Sequence, residues 1–171
     1  RRAAPPGRSS DALDGVIETI DALQSTNRRI LDRLRPAALE ELGLAPALQA
    51  LGGFFERNRP GFAVFVETSE LPSLPQGLET ALYRIAQEAL TNAARHADAD
   101  QVRIALAVED DALVLTVADD GRGLDPTAPG GRGLLGIRER VAAYGGVLTL
   151  TPTRPCGLTL RAAFPLDGAE A

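Results

Sequence analysis

Three clusters of residues in this 171-residue chain have types and spacings that can do chemistry. Glu88, Asn92, Arg95 and His96 recur at four-residue and three-to-four-residue intervals, which places them on one face of a helix. A carboxylate and an amide oxygen suit a hard cation such as Mg²⁺, and the arginine suits a phosphate. The same spacing also fits a solvated polar face supported by i,i+4 pairs, so this cluster alone does not define a site.

The second cluster is Val117-Ala118-Asp119-Asp120-Gly121-Arg122-Gly123. A carboxylate at the end of an apolar strand can accept a hydrogen bond from an amino group such as the exocyclic amine of adenine. The glycines beside it allow a sharp turn and close approach of a ligand. Asp-Gly is also an ordinary turn signal. Alternation along the strand sets Leu113, Leu115 and Val117 on one face and Val114 and Thr116 on the other. Asp119 continues the first set and is expected to point inward; Asp120 is expected at the rim, serving a turn or a lid.

The third cluster, Gly131-Arg132-Gly133-Leu134-Leu135-Gly136, matches the dinucleotide fingerprint G-x-G-x-x-G in letters only. It follows a Pro/Gly-rich loop rather than a strand, and no βαβ unit or acidic ribose partner accompanies it. What remains is a phosphate cradle of glycine amides opening a helix, with Arg132 and Arg138 as candidate partners for a terminal phosphate.

The elements that must position these clusters read as follows. Residues 1–10 form a Pro-rich lead-in. Leu13, Val16, Ile20, Leu23, Asn27, Ile30 and Leu34 follow a heptad seam, so residues 11–36 are expected to be one helix of an intermolecular bundle, ending at Pro36, with a helix lying on its own domain as the alternative. A domain is expected over 37–171. Within it come a helix over Ala45–Arg57, a strand over Phe62–Glu67 and a long helix over Gln76–Ala97. Strands over Gln101–Val108 and Ala112–Ala118 flank a turn at Glu109–Asp111. A loop over Asp119–Gly136, a helix over Leu135–Tyr144 and strands over Val147–Thr151 and Leu158–Phe164 complete the domain. Helices and strands are segregated, so the fold class is α+β: a two-layer sandwich of a mixed sheet with helices on one face.

Composition narrows the functions open to such a domain. At 44% hydrophobic and 24% charged residues the chain can bury a full core, and with 4% aromatics that core is aliphatic. One cysteine and one histidine exclude a disulfide framework and an ordinary structural zinc site. The net charge of −5 argues against direct nucleic-acid binding. Apolar runs such as Gly61–Val66 are too short to cross a bilayer. All 18 basic residues are arginine, which removes every Schiff-base or P-loop lysine from consideration. The chain has no methionine, so it is expected to be a segment of a longer product, and its composition is that of a GC-rich bacterium.

In their order and spacing the three clusters resemble the Bergerat-fold ATP-binding domain shared by DNA gyrase, the ninety-kilodalton chaperone and histidine kinases. Within that group, QEALTNAARHA (Gln87–Ala97), the upstream LRPAALEELGL (Leu34–Leu44) and GLLGIRERV (Gly133–Val141) resemble sensor histidine kinases of the nitrate-sensor and lipid-fluidity-sensor type. The resemblance runs from about Asp11 to Leu166. It implies ATP and Mg²⁺ as cofactors, with Glu88 and Asn92 coordinating the metal or its waters and orienting the triphosphate. Arg95 and His96 match phosphate-contacting positions. Asp119 matches the aspartate that receives the adenine amine, with Gly121 and Gly123 forming its loop. Gly131, Gly133 and Gly136, with Arg132 and Leu134 among them, match the lid around the β- and γ-phosphates.

The implied reaction is transfer of the γ-phosphoryl of ATP to a histidine and then to an aspartate of a response regulator. The phosphoacceptor histidine belongs on a helix upstream of the heptad helix, so His96 is not that acceptor. The implied partners are that helix, a cognate response regulator and a second copy of the full-length protein. The implied location is a cytoplasmic domain of a membrane-bound bacterial sensor. One departure is visible: the family carries Gly-Thr before the last strand, where the threonine supports the adenine-binding aspartate. Here Gly157 precedes Leu158, and Thr159 falls on the opposite strand face. A stand-alone serine kinase of the anti-sigma-factor type and a non-catalytic nucleotide-binding module are the alternative readings.

Overall fold

The computed structural model describes residues 39–123, 132–153 and 155–166. The lead-in over 1–10 and the bundle helix over 11–36 lie outside the described residues. A compact unit spans Leu42–Ala171. Its described elements are α1 (Leu44–Asn58), β1 (Ala63–Thr68), α2 (Gln76–His96), β2 (Gln101–Glu109), β3 (Ala112–Asp119), α3 (Arg132–Ala143), β4 (Val147–Pro152) and β5 (Leu158–Pro165).

The five strands form one mixed sheet in the order β1-β2-β3-β5-β4. The β1–β2 pair is parallel and the other three pairs are antiparallel. A parallel pair needs a crossover, and α2 supplies it. The β2–β3 hairpin closes through Asp110 (φ 47) and Asp111 (φ 61), two left-handed residues that form the primed turn matching strand twist. Aspartate tolerates that region better than most side chains.

Alternation along the strands builds a single inner face. Val102, Ile104, Leu106, Leu115, Val117, Leu160 and Phe164 are all buried on it. Val64 and Val66 extend that face at β1, where Gly52 of α1 sits close enough that a Cβ would lie 3.0 Å from Val64 Cγ1. Helix α2 contributes Leu82, Ile85, Ala86 and Leu90, each fully buried, and burying a side chain of the leucine size contributes about 2 kcal/mol. The other sheet face carries Phe65 and Val147, both exposed, and two ion pairs, Arg103–Glu67 and Arg161–Glu109. The second pair spans β3 from β5 to β2.

One element departs from the sequence reading. Helix α3 begins at Arg132, three residues before the expected Leu135, so Gly133, Leu134 and Gly136 lie inside its first turns rather than in a loop. The glycine run reads as a breaker by propensity, but tertiary packing against α2 overrides it. The helix ends in a Schellman motif that the sequence reading did not specify: Gly145 (φ 65) donates to Ala142 O, and Gly146 to Val141 O.

Candidate functional site

Asp119 is the last residue of β3 and is 9% exposed. Its inward direction follows from the β3 alternation, since it pairs across to buried Val102. The carboxylate Oδ1 accepts hydrogen bonds from Gly121 N (3.0 Å) and Leu158 N (3.3 Å). Burial pushes its pKa up; the two backbone hydrogen bonds oppose this, and neighbouring Asp120 adds a smaller upward push. A buried carboxylate held by backbone amides on one oxygen is a ready acceptor for an amine donor.

Three glycines explain how the chain wraps this carboxylate. A Cβ at Gly121 would collide with Ala97 O, and one at Gly157 (φ 113) would collide with Asp119 O. A Cβ at Gly123 (φ 77) would lie 3.1 Å from Gly157 O. What these glycines admit is the protein's own backbone, stacked tightly around residue 119.

The Leu158 departure also has a structural answer. Its backbone N–H, not its side chain, supports Asp119. Thr159 faces the other way, pairs with Ala118 and shares a 2.8 Å hydroxyl hydrogen bond with Thr153. The signal missed in the sequence is therefore a main-chain donor at position 158, which no side-chain motif reports. Asp120 takes the rim position: its Oδ1 accepts from Asp100 N and Gln101 N, both at 2.9 Å.

The other half of the site lies on α2. Glu88 and Asn92 are both half-buried and meet above Gly133 at the head of α3. A Cβ at Gly133 would strike Glu88 Oε1 and lie 3.4 Å from Asn92 Oδ1. The structure thus brings a carboxylate oxygen and an amide oxygen together where a twelve-residue helix begins. Leu134 is half-buried in that first turn, and Arg140 donates to Gly136 O at 2.7 Å. Arg95 and His96 are exposed at the C-terminal end of α2, where His96 O accepts from Arg122 Nε at 2.8 Å. Gly131 lies outside the described residues, as does the side chain of Arg132.

Mg²⁺ is bound through one or two protein oxygens, with waters and substrate phosphates completing the shell. Glu88 and Asn92 fit that pattern. Among the described residues no group of three or more acidic, histidine or cysteine side chains is gathered to hold a metal by itself. No helix among them is long and apolar enough to cross a membrane.

A mixed five-stranded sheet with helices over one face is the architecture of the Bergerat ATP-binding fold, and here it carries a buried carboxylate at a strand end and a Glu/Asn pair at a helix head. Residues 77–168 match the family described as Histidine kinase-, DNA gyrase B-, and HSP90-like ATPase, and the chain belongs to that family. It is 36% identical over 164 residues to Sensor histidine kinase MctS of Rhizobium johnstonii, covering 92% of this chain and 34% of that protein. It is 38% identical over 128 residues to the histidine-protein kinase/phosphatase UhpB of Salmonella typhimurium, covering 74% of this chain and 26% of that protein. The chain therefore spans about a third or less of these two relatives. Among solved structures it resembles the Erythrobacter litoralis EL346 blue-light activated histidine kinase, with a TM-score of 0.64 and 25% identity over 72% of this chain and 42% of that one.

Proposed function

We propose that this chain is the ATP-binding catalytic region of a two-component sensor histidine kinase. The observation that carries the reading is the meeting of Glu88 and Asn92 at Gly133, in a fold that also holds a buried carboxylate, Asp119, at the end of β3. Asp119 receives the adenine amine, and the amides at the head of α3 face the phosphates. Glu88 and Asn92 hold Mg²⁺ or its waters, and Mg²⁺ supplies charge neutralisation on the transferring phosphoryl group. Phosphoryl transfer asks the protein mainly for positioning and electrostatic stabilisation, and these residues can provide both.

The phosphate goes to a histidine on a helix upstream of the heptad seam and then to an aspartate of a response regulator. Dimerisation through the 11–36 helix and placement on the cytoplasmic side of a membrane-bound bacterial sensor belong to the same reading. The test is phosphotransfer from radiolabelled ATP to a longer chain carrying the upstream helix. Acid-labile label is expected on the longer chain and not on the 171-residue chain. Stable labelling of the 171-residue chain after removal of nucleotide would overturn the reading.

A further inference from the structure

The segment after Asp119 is fastened on two sides, to the start of β2 through Asp120 and to the end of α2 through Arg122. Asp120 Oδ1 accepts from Asp100 N and Gln101 N, and Asp120 N donates to Gln101 O at 3.3 Å. Arg122 N donates to Ala97 O at 2.8 Å, and its guanidinium Nε reaches His96 O at 2.8 Å. Gly121 lies between them, where its missing side chain lets the backbone rest on Ala97.

The two carbonyls that Arg122 engages, His96 O and Ala97 O, are among those left without partners at the C-terminus of α2, and a cation there also complements the helix dipole. A second arginine does the same one turn earlier: Arg59 donates to Ala94 O at 2.7 Å while its guanidinium lies 4.8 Å from the Phe62 ring centre. Asp98 (φ 56) turns the chain out of the helix in a conformation that needs such support.

We infer that Asp120 and Arg122 are positioning residues that fix the distance between the two halves of the nucleotide site. Asp119, which takes the base, is bonded in sequence to Asp120. Asn92, which serves the phosphates, lies one turn before His96 and accepts from Ala97 N through its own carbonyl. The latch from 120–122 to 96–101 is therefore the short mechanical link between base and phosphate ends. Neither side chain needs to touch the nucleotide. Their effect is on how well one rigid ligand can engage both ends together, which is an effective-concentration effect.

The inference rests on the ATP reading, and its test separates the two. NMR titrations of the 171-residue chain use Mg²⁺·ATP, AMP and Mg²⁺·tripolyphosphate, which engage both ends, the base end and the phosphate end respectively. With Asp120→Ala, ATP affinity is expected to fall about tenfold while AMP and tripolyphosphate affinities stay within about twofold of wild type. Arg122→Ala removes the guanidinium bond to His96 O, keeps the main-chain bond to Ala97 O, and gives the same pattern with a smaller ATP loss, which covers the case in which one variant fails to fold. Asp120→Asn keeps an accepting oxygen and restores ATP affinity. Unchanged ATP affinity in both alanine variants overturns the inference. A parallel loss for AMP also overturns it, since the residues would then only shape the base pocket. Absence of Mg²⁺·ATP binding by the wild type removes the ATP reading, and the inference with it.

Discussion

The two ends of the site are built from different materials. The Asp119 end, proposed to take the base, is almost entirely main chain: Gly121 N and Leu158 N fix the carboxylate, and glycines at 121, 123 and 157 let backbone lie against backbone. The phosphate end consists of side-chain oxygens on a helix face, Glu88 and Asn92, with the head of a second helix laid over them. A main-chain frame is the same whatever side chains surround it, so it can hold one buried charge to a narrow geometry. A helix face sets side chains at fixed spacing but leaves their torsions to adapt to a metal and its waters. The frame around Asp119 is thus rigid and the Glu88/Asn92 pair compliant; in the function proposed above, the first takes the base and the second Mg²⁺·phosphate.

The sharpest way to break this contrast is Asp119→Asn against Asp120→Asn. Asp119 lies inward with one oxygen committed to backbone amides, so the amide variant places a donor against the adenine amine and loses the charge. ATP affinity is expected to fall by about a hundredfold. Asp120→Asn retains an acceptor for Asp100 N and Gln101 N and is expected to cost less than about threefold. Calorimetry of both variants decides it, and equal losses would mean that the base contact belongs to the wrong aspartate. Because Asp119 carries a desolvation burden, its asparagine variant is also expected to melt at or above the wild-type Tm at neutral pH without ligand.

At the compliant end a smaller loss is expected. Asn92→Ala removes one of two oxygens, and the remaining shell can recruit water. Triphosphate affinity should drop about thirtyfold in the presence of Mg²⁺ and far less for AMP, as the loss of a charge-assisted contact implies. Wild-type Mg²⁺·ATP affinity in this variant would remove the metal assignment from α2.

The smallest effect sharpens rather than breaks the comparison. Since burial raises the Asp119 pKa, its charge is lost at higher pH than that of an exposed aspartate. ATP affinity should therefore weaken as the pH is lowered from 7 toward about 5, and Asp119→Asn should flatten that part of the profile. Stability without ligand runs the other way. A raised folded-state pKa means that the folded chain holds the proton more tightly, so the stabilisation is present at low pH and lost as pH rises through the raised value. A Tm series on wild type and Asp119→Asn reads this directly.

How far all this was legible in the sequence divides along the same line. The β2–β3 alternation and the apolar stripe of α2 were readable because side-chain periodicity reports them, and the turn expected at Glu109–Asp111 was one residue too long, since Glu109 ends β2. The inward direction of Asp119 and the rim position of Asp120 followed from that periodicity too. The strand order and the parallel β1–β2 pair were not readable, because pairing is settled by long-range packing. The start of α3 was misplaced because Gly131, Gly133 and Gly136 look like loop residues until Glu88 and Asn92 are seen to require a bare Cα at 133. The support of Asp119 by residue 158 was invisible, since every residue but proline carries that donor.

That last point changes what variation at this corner of the molecule means. At position 158 the contribution to the carboxylate is an N–H, so leucine in place of threonine leaves the frame intact, and most replacements would do the same. One residue earlier no replacement is admissible: the left-handed φ of 113 and the contact with Asp119 O exclude any side chain. Adjacent positions in one turn thus differ completely in how much change they can absorb. The permissive one is the one that the sequence comparison with the resembled family singled out.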